Sequence, residues 1–133
     1  MDIRRLAGIP MILPSAVHGL RILIETAAEK AGVRLDVHTQ ADSVHLMKEL
    51  VESGLGYTIL PLCAFAREAA MGRLTFARLR KPQITRQLFL ALKAAAEHPR
   101  AVLQLDRIVR QEVEELVREG KWPSATVLRI GDS

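Results

Sequence analysis

The residues of this 133-residue chain that could carry catalysis or bind metal are four histidines, one cysteine and a handful of serines. Their spacing points away from both tasks. His18, His38, His45 and His98 contain no i, i+4 pair and no H-E-x-x-H, the arrangement that puts two imidazoles on one helix face around a metal. None of Ser15, Ser43, Ser53 and Ser124 stands in a G-x-S-x-G nucleophile elbow. Cys63 is alone, which excludes an internal disulfide and a cysteine-based zinc cage. It opens a helix, where the dipole favours a thiolate, but no His or cation adjoins it in sequence, so a structural role is the better reading. Gly54-Leu55-Gly56 precedes a strand instead of joining strand to helix, so it is read as a tight turn and not as a phosphate loop. No enzyme activity, metal or cofactor is expected.

What recurs is the join from strand to helix, at Leu13-Pro14-Ser15, at Gln40-Ala41-Asp42-Ser43 and at Leu60-Pro61-Leu62. In a parallel sheet such joins lie together beyond the carboxyl ends of the strands, where open α/β folds bind ligands. Helix N-termini there offer unpaired N–H groups and partial positive charge, which suits a small anion. Each serine also has an ordinary role as a helix cap.

The elements that must position these joins follow from periodicity. Pro10-Met11-Ile12-Leu13-Pro14 is a short buried strand stopped by proline, and Ser15 offers an N-cap to a helix with Leu20, Leu23, Ile24, Ala27, Ala28 and Ala31 inward and Gly32 as its stop. Val33, Leu35 and Val37 alternate with Arg34, Asp36 and His38, the pattern of a strand with one wet face. Asp42 or Ser43 caps a second helix with the stripe Val44, Met47, Leu50 and Val51. Gly54 ends it, and Gly56 to Pro61 reads as a third strand. A helix over Leu62 to Ala70 precedes further strands near Leu74 to Leu79 and Arg86 to Lys93. Strands alternating with helices imply an α/β fold with a mostly parallel sheet flanked by helices. After a connector, Ala94 to Pro99, the longest helix runs from Arg100 to Glu119 with Val102, Leu105, Ile108, Val109, Val113, Leu116 and Val117 on one stripe. Ser124 to Ser133 is expected to be a loose tail. The expected division is residues 1–93 as one lobe and 94–133 as connector, long helix and tail.

Composition agrees with a folded domain: 49% hydrophobic and 26% charged, with enough length to bury a core. At 4% aromatic, stacking platforms for single-stranded nucleic acid are not expected. The net charge is +4 and the pI near 9.7. From Ala69 to Ala96 there are six cations (Arg73, Arg78, Arg80, Lys81, Arg86, Lys93) and no Asp or Glu, so this window carries +6 and the rest of the chain −2. A solvated face is its first reading, an attraction for an anionic ligand the second. Pro10 and Pro14 bracket the only apolar stretch near the N-terminus, so it is not read as a signal peptide, and no run of about 18 apolar residues spans a membrane. A cytoplasmic protein is expected.

Several of these segments, in order, carry a family resemblance. Leu13-Pro14-Ser15, His18-Gly19-Leu20-Arg21, a helix ending Ala31-Gly32, Asp42-Ser43 opening a helix, Gly72-Arg73-Leu74 and Thr85-Arg86-Gln87-Leu88 support it. Its specific part is Leu50-Val51-Glu52-Ser53-Gly54-Leu55-Gly56-Tyr57-Thr58-Ile59-Leu60-Pro61. Together they resemble the second lobe of the effector-binding domain of LysR-type transcriptional regulators. The resemblance covers about Ile9 to Glu119. It implies a periplasmic-binding-protein-like (type 2) lobe and a long return helix that packs on a first lobe. It further implies a small anionic effector in the cleft between lobes, with Pro14, Ser15, Ala41, Asp42, Ser43, Tyr57 and Thr58 facing that cleft. It implies a homodimer built through Ala16 to Ala31 and Val33 to Thr39. Neither the family's helix-turn-helix nor its first lobe precedes Met1, so DNA contact is expected only through that N-terminal domain of the parent protein. Without the first lobe, the stripe of the long helix is expected to find a partner, as a dimer or domain-swapped oligomer. An oligomerising module without ligand, or a fragment of a solute-binding protein, is the alternative reading.

Overall fold

The computed structural model describes residues 1–94 and 98–128, which form two compact units, Met1 to Arg86 and Gln87 onward. Part of the expected connector and the last five residues of the tail lie outside the described residues.

The first unit is built on β1 (Pro10–Leu13), which pairs in parallel with β2 (Asp36–Gln40). Met11, Ile12 and Leu13 are fully buried, because helices and turns cover β1 on both faces. Met11 and Leu13 join Ile3, Leu6, Ile24 and Ala28 in one cluster, while Ile12 points the other way to Ala41 and Met47. That is why the segment is continuously apolar and not alternating. Each such side chain contributes roughly 1.5–3 kcal/mol on burial. Along β2 and the residues leading into it one face is wet: Val33, Leu35 and Val37 are half-buried and Arg34, Asp36 and His38 exposed, as the alternation predicts. Regular pairing starts only at Asp36, and the ladder passes from Met11↔Val37 to Ile12↔Thr39, skipping His38 as a bulge.

Helix α1 (Gly19–Lys30) lays Ile24 and Ala28 into the first cluster, with Leu20, Ala27 and Ala31 against it. Its N-cap is His18, whose Nδ1 accepts from the Leu20 N–H at 3.2 Å, and not the expected Ser15. A turn closed by the His18 N–H on the Ser15 carbonyl, at 3.0 Å, comes first and delays the helix by three residues. At the other end Gly32 has φ +69, with Val33 N–H to Ala28 O and Gly32 N–H to Glu29 O closing a Schellman-type stop. Helix α2 (Val44–Glu52) is capped by Ser43, whose Oγ accepts from the Leu46 N–H at 3.4 Å. Met47 is buried and Leu50 and Val51 pack beside it, but Val44 stays exposed.

The third strand is reduced to one parallel bridge, Tyr57 to Met11, made by Tyr57 N–H to Pro10 O at 2.9 Å and Ile12 N–H to Tyr57 O at 2.7 Å. Gly56 makes the approach possible. Its φ is +156, and a Cβ there would stand 2.7 Å from the Pro10 carbonyl oxygen. The helix expected over Leu62 to Ala70 is broken at Phe65 (φ −136) into a 3₁₀ turn, Leu62–Ala64, and α3 (Ala66–Ala70). Phe65 meets Phe76 edge to face at 5.4 Å, and a Lys48–Glu68 ion pair at 2.6 Å joins α2 to α3.

The strands expected near 74–79 and 86–93 do not form ladders among the described residues. Alternation permits a strand, but a strand also needs a neighbour to pair with. At the first segment's end only Lys81 is bridged, to Asp2, and in the second Leu88, Phe89, Leu90 and Leu92 are exposed.

In the second unit α4 (Arg100–Arg118) spans 19 residues, with Val102, Val109, Val113 and Val117 half-buried and Leu103, Leu105, Ile108 and Leu116 exposed. An Asp106–Arg110 pair at 2.9 Å supports one turn. Gly120 (φ +68) follows the helix. No helix among the described residues is long and apolar enough to cross a membrane.

Candidate functional site

Because β1 and β2 run parallel, their carboxyl ends emerge at one edge, and the two joins that follow are tied to each other there. The Ala41 N–H donates to Leu13 O at 3.1 Å, extending the pairing past Gln40. Beyond it, the Ser15 N–H donates to Asp42 Oδ1 at 2.8 Å, across 27 residues of sequence. That bond with the Ser15 backbone holds the Asp42 carboxyl below the usual carboxylate range. The Ser15 side chain acts in the same direction, desolvation opposes both more weakly, and the nearby His18 adds the smallest lowering effect. Ser43, next in line, spends its oxygen lone pair on the α2 cap and keeps its O–H free to donate. Pro14 and Ala41 are buried and form the floor of this edge.

Beneath the β1–α1 join lies Arg21, only 7% exposed. Its Nη1 donates to the Pro14 carbonyl at 3.1 Å, its Nη2 meets Glu25 at 2.7 Å, and its Nε has no partner. Arg21 fixes the peptide immediately before the Ser15 N–H. Sequence reasoning missed this role, although one signal was present: Arg21 shares the inward stripe of Ile24 and Ala28 at i, i+3, i+7 spacing.

The remaining two candidates stand apart from this group. Tyr57 pairs with Met11, two residues short of the end of β1, and so sits about 7 Å back from the edge at the rise of an extended chain. The residue is 60% exposed. Thr58 is directed toward α2, its Oγ1 lying 3.8 Å from Met47 Sδ. The structure thus brings Pro14, Ser15, Ala41, Asp42 and Ser43 together and leaves Tyr57 and Thr58 one layer away.

The edge offers a hydroxyl donor at Ser43, the N-terminus of α2 and one ionised carboxylate. A ligand carboxylate about 5 Å from Asp42 would meet a repulsion of about 1–3 kcal/mol at an effective dielectric of 20–80. At this edge an anion would have to displace Asp42 from the Ser15 N–H or lie on the Ser43 side. Among the described residues no group of three or more His, Cys, Asp or Glu is placed to hold a metal ion.

Comparison with known proteins decides the family. Residues 1–120 match the model of the LysR substrate binding domain. The chain belongs to this family. Its fold is accordingly the periplasmic-binding-protein-like type 2 fold, here an α/β unit with a parallel sheet, followed by the long helix α4. This LysR substrate-binding domain is similar to the HTH-type transcriptional regulator BbuR of Bordetella bronchiseptica, at 31% identity over 121 residues that make up 91% of this chain and 37% of that protein. It is also similar to a probable hydrogen peroxide-inducible genes activator of Mycobacterium avium, 33% identical over 68% of this chain and 30% of the relative. A protein of the same description from Mycobacterium leprae is 30% identical over 78% and 34%. The chain thus spans about a third of the length of these relatives. No solved structure matches it.

Proposed function

We propose that this LysR substrate-binding domain is the effector-sensing part of a transcriptional regulator and takes a small anionic molecule at the edge formed by Pro14, Ser15, Ala41, Asp42 and Ser43, with Tyr57 and Thr58 contributing from the adjacent layer. The observation that carries the reading is the Ser15–Asp42 hydrogen bond. It joins the two strand-to-helix loops and puts a carboxylate on a backbone N–H that a ligand's anionic group can take over. Binding there changes the tie between loops, and a regulator transmits such a change as a population shift. The domain acts without catalysis, in the cytoplasm, and reaches DNA only through an N-terminal domain of the parent regulator. Self-association through Ala16 to Ala31 and Val33 to Thr39 belongs to the same proposal, and exposed Val17 and Ile22 support it.

The test is calorimetry of the full-length parent regulator against a panel of metabolites, combined with operator binding. A binder that changes operator affinity is the expected outcome. A panel with no binder and no ligand-dependent change at the operator contradicts the proposal.

A second reading is favoured by α4, whose Leu103, Leu105, Ile108 and Leu116 are exposed along one helix. In it the chain is an oligomerising module, dimeric or domain-swapped through α4, that needs no ligand. Light scattering at tens of micromolar tests this reading: a monodisperse monomer excludes it, and a dimer that falls apart when exposed leucines of α4 are replaced by Ser supports it.

A further inference from the structure

The far end of α1 carries a basic recess. Lys30 closes the helix there, and two distant segments meet beside it, held by Ile3 N–H to Lys81 O at 2.9 Å and Arg80 N–H to Met1 O at 3.0 Å. An open depression between them is lined by Asp2, Arg4, Lys30, Arg80, Lys81 and Pro82, with two alanines of the last turn of α1 as an apolar wall. Four cations thus face one carboxylate, and that carboxylate is engaged. Asp2 Oδ1 accepts from the Arg4 N–H at 2.9 Å and stands 3.8 Å from Arg4 Nε.

Among the described residues Arg21 pairs with Glu25, Lys48 with Glu68, Arg73 with Glu52 and Arg110 with Asp106, while other cations such as Arg34, Arg67 and Lys93 stand singly on the surface without an ion pair. Lys30, Arg80 and Lys81 form no ion pair among the described residues. The sequence gathers two of these cations in its +6 window, but only the fold adds Arg4 and Lys30 to them. Like charges gathered around one recess repel one another, and a bound anion lowers that cost.

We propose that this recess is a second ligand site, for a small phosphate-bearing molecule with two or more negative charges. Two guanidinium groups match phosphate oxygens in fork geometry, two ammonium groups add point charge, and Pro82 with the alanine wall accommodates an apolar part of the ligand. The recess lies at the opposite end of α1 from His18 and Ser15, about 18 Å away along a 12-residue helix, so one small ligand cannot occupy both places. A phosphate held there links the segment before β1 to the segment at 80–82.

The experiment is an amide-resolved NMR titration of the chain with pyrophosphate at constant ionic strength, using citrate and a short DNA duplex as separate arms. Saturable shifts confined to Arg4, Lys30, Arg80 and Lys81 are expected. The double variant Arg80→Gln/Lys81→Gln should lose at least about tenfold in affinity, the equivalent of one charge-assisted contact. Lys93→Gln, in the same basic window but outside the recess, should bind as the parent chain does. An amide spectrum that is unchanged apart from the substituted sites shows that the variants fold. Shifts that do not saturate, or a double variant that binds like the parent, overturn the proposal. Citrate binding as tightly as pyrophosphate overturns the phosphate assignment, and a duplex that binds these residues more tightly makes the recess a nucleic-acid surface instead.

Discussion

Replacing Arg21 by Met tests how the candidate site is held from beneath. The side chain is 8% exposed and its Nη1 donates to the Pro14 carbonyl at 3.1 Å. A hydrogen bond from a charged donor contributes about 1.5–3 kcal/mol, and a carbonyl left buried without a partner costs about 1–3 kcal/mol. Two effects offset this loss. Arg21 Nε is already buried without a partner, and Glu25, 38% exposed on its side chain, regains water once its cation is gone. Met keeps most of the volume, so little cavity cost is added. The net expectation is a destabilisation of about 1–2 kcal/mol by urea unfolding, together with a displaced Ser15 amide resonance because the peptide before it is released. Arg21→Lys should fall between, since one ammonium cannot hold both the Pro14 carbonyl and Glu25 in the guanidinium's geometry. A Met variant as stable as the parent, with the Ser15 resonance unmoved, would refute the role assigned to Arg21.

The Asp42 carboxyl titrates below its ordinary value of 3.8, so the stabilisation from its bond to Ser15 is complete above that pH and is lost as pH falls through the folded-state value. A carboxyl-detected NMR titration should show this, and Ala in place of Ser15 should leave most of the shift, since its backbone N–H remains. Gly56→Ala should destabilise by more than about 1 kcal/mol in urea, because its Cβ would stand 2.7 Å from Pro10 O at a φ of +156. Substituting Leu105 and Ile108 on α4 together by Ser should turn any α4-mediated dimer into monomer by light scattering. An unchanged dimer would place the interface elsewhere, on α1 and β2.

The parts of the fold that sequence shows most clearly are those decided locally. Pro10-Met11-Ile12-Leu13-Pro14 is bounded by prolines and apolar throughout and Gly32 stops α1, so both are readable from pattern alone, while the cap of α2 narrows to Asp42 or Ser43 and the fold selects Ser43. Partners brought in from a distance are not readable in this way. Ser15 looks like a cap, yet its N–H is drawn to a carboxylate 27 residues away, and the cap passes to His18. Alternation around 74–79 and 86–93 satisfies a strand pattern, but among the described residues neither segment joins a strand ladder, whereas Tyr57 pairs with Met11 because Gly56 lets the backbones approach. Arg21 is a charge on the inward stripe of Ile24 and Ala28; the spacing hints at its burial, but its partner, the Pro14 carbonyl seven residues away, is supplied by the fold. Within the candidate site, the grouping of Ser15, Asp42 and Ser43 follows from parallel pairing. The setback of Tyr57 depends on register, which no local pattern fixes.

The most direct test is to map a bound effector on the amide spectrum of this chain. The account predicts that a metabolite active on the parent regulator shifts Ser15, Asp42 and Ser43 first, breaks the Ser15–Asp42 hydrogen bond or leans on the Ser43 side of it, and spares the far end of α1. An effector whose shifts leave these three residues untouched would contradict it.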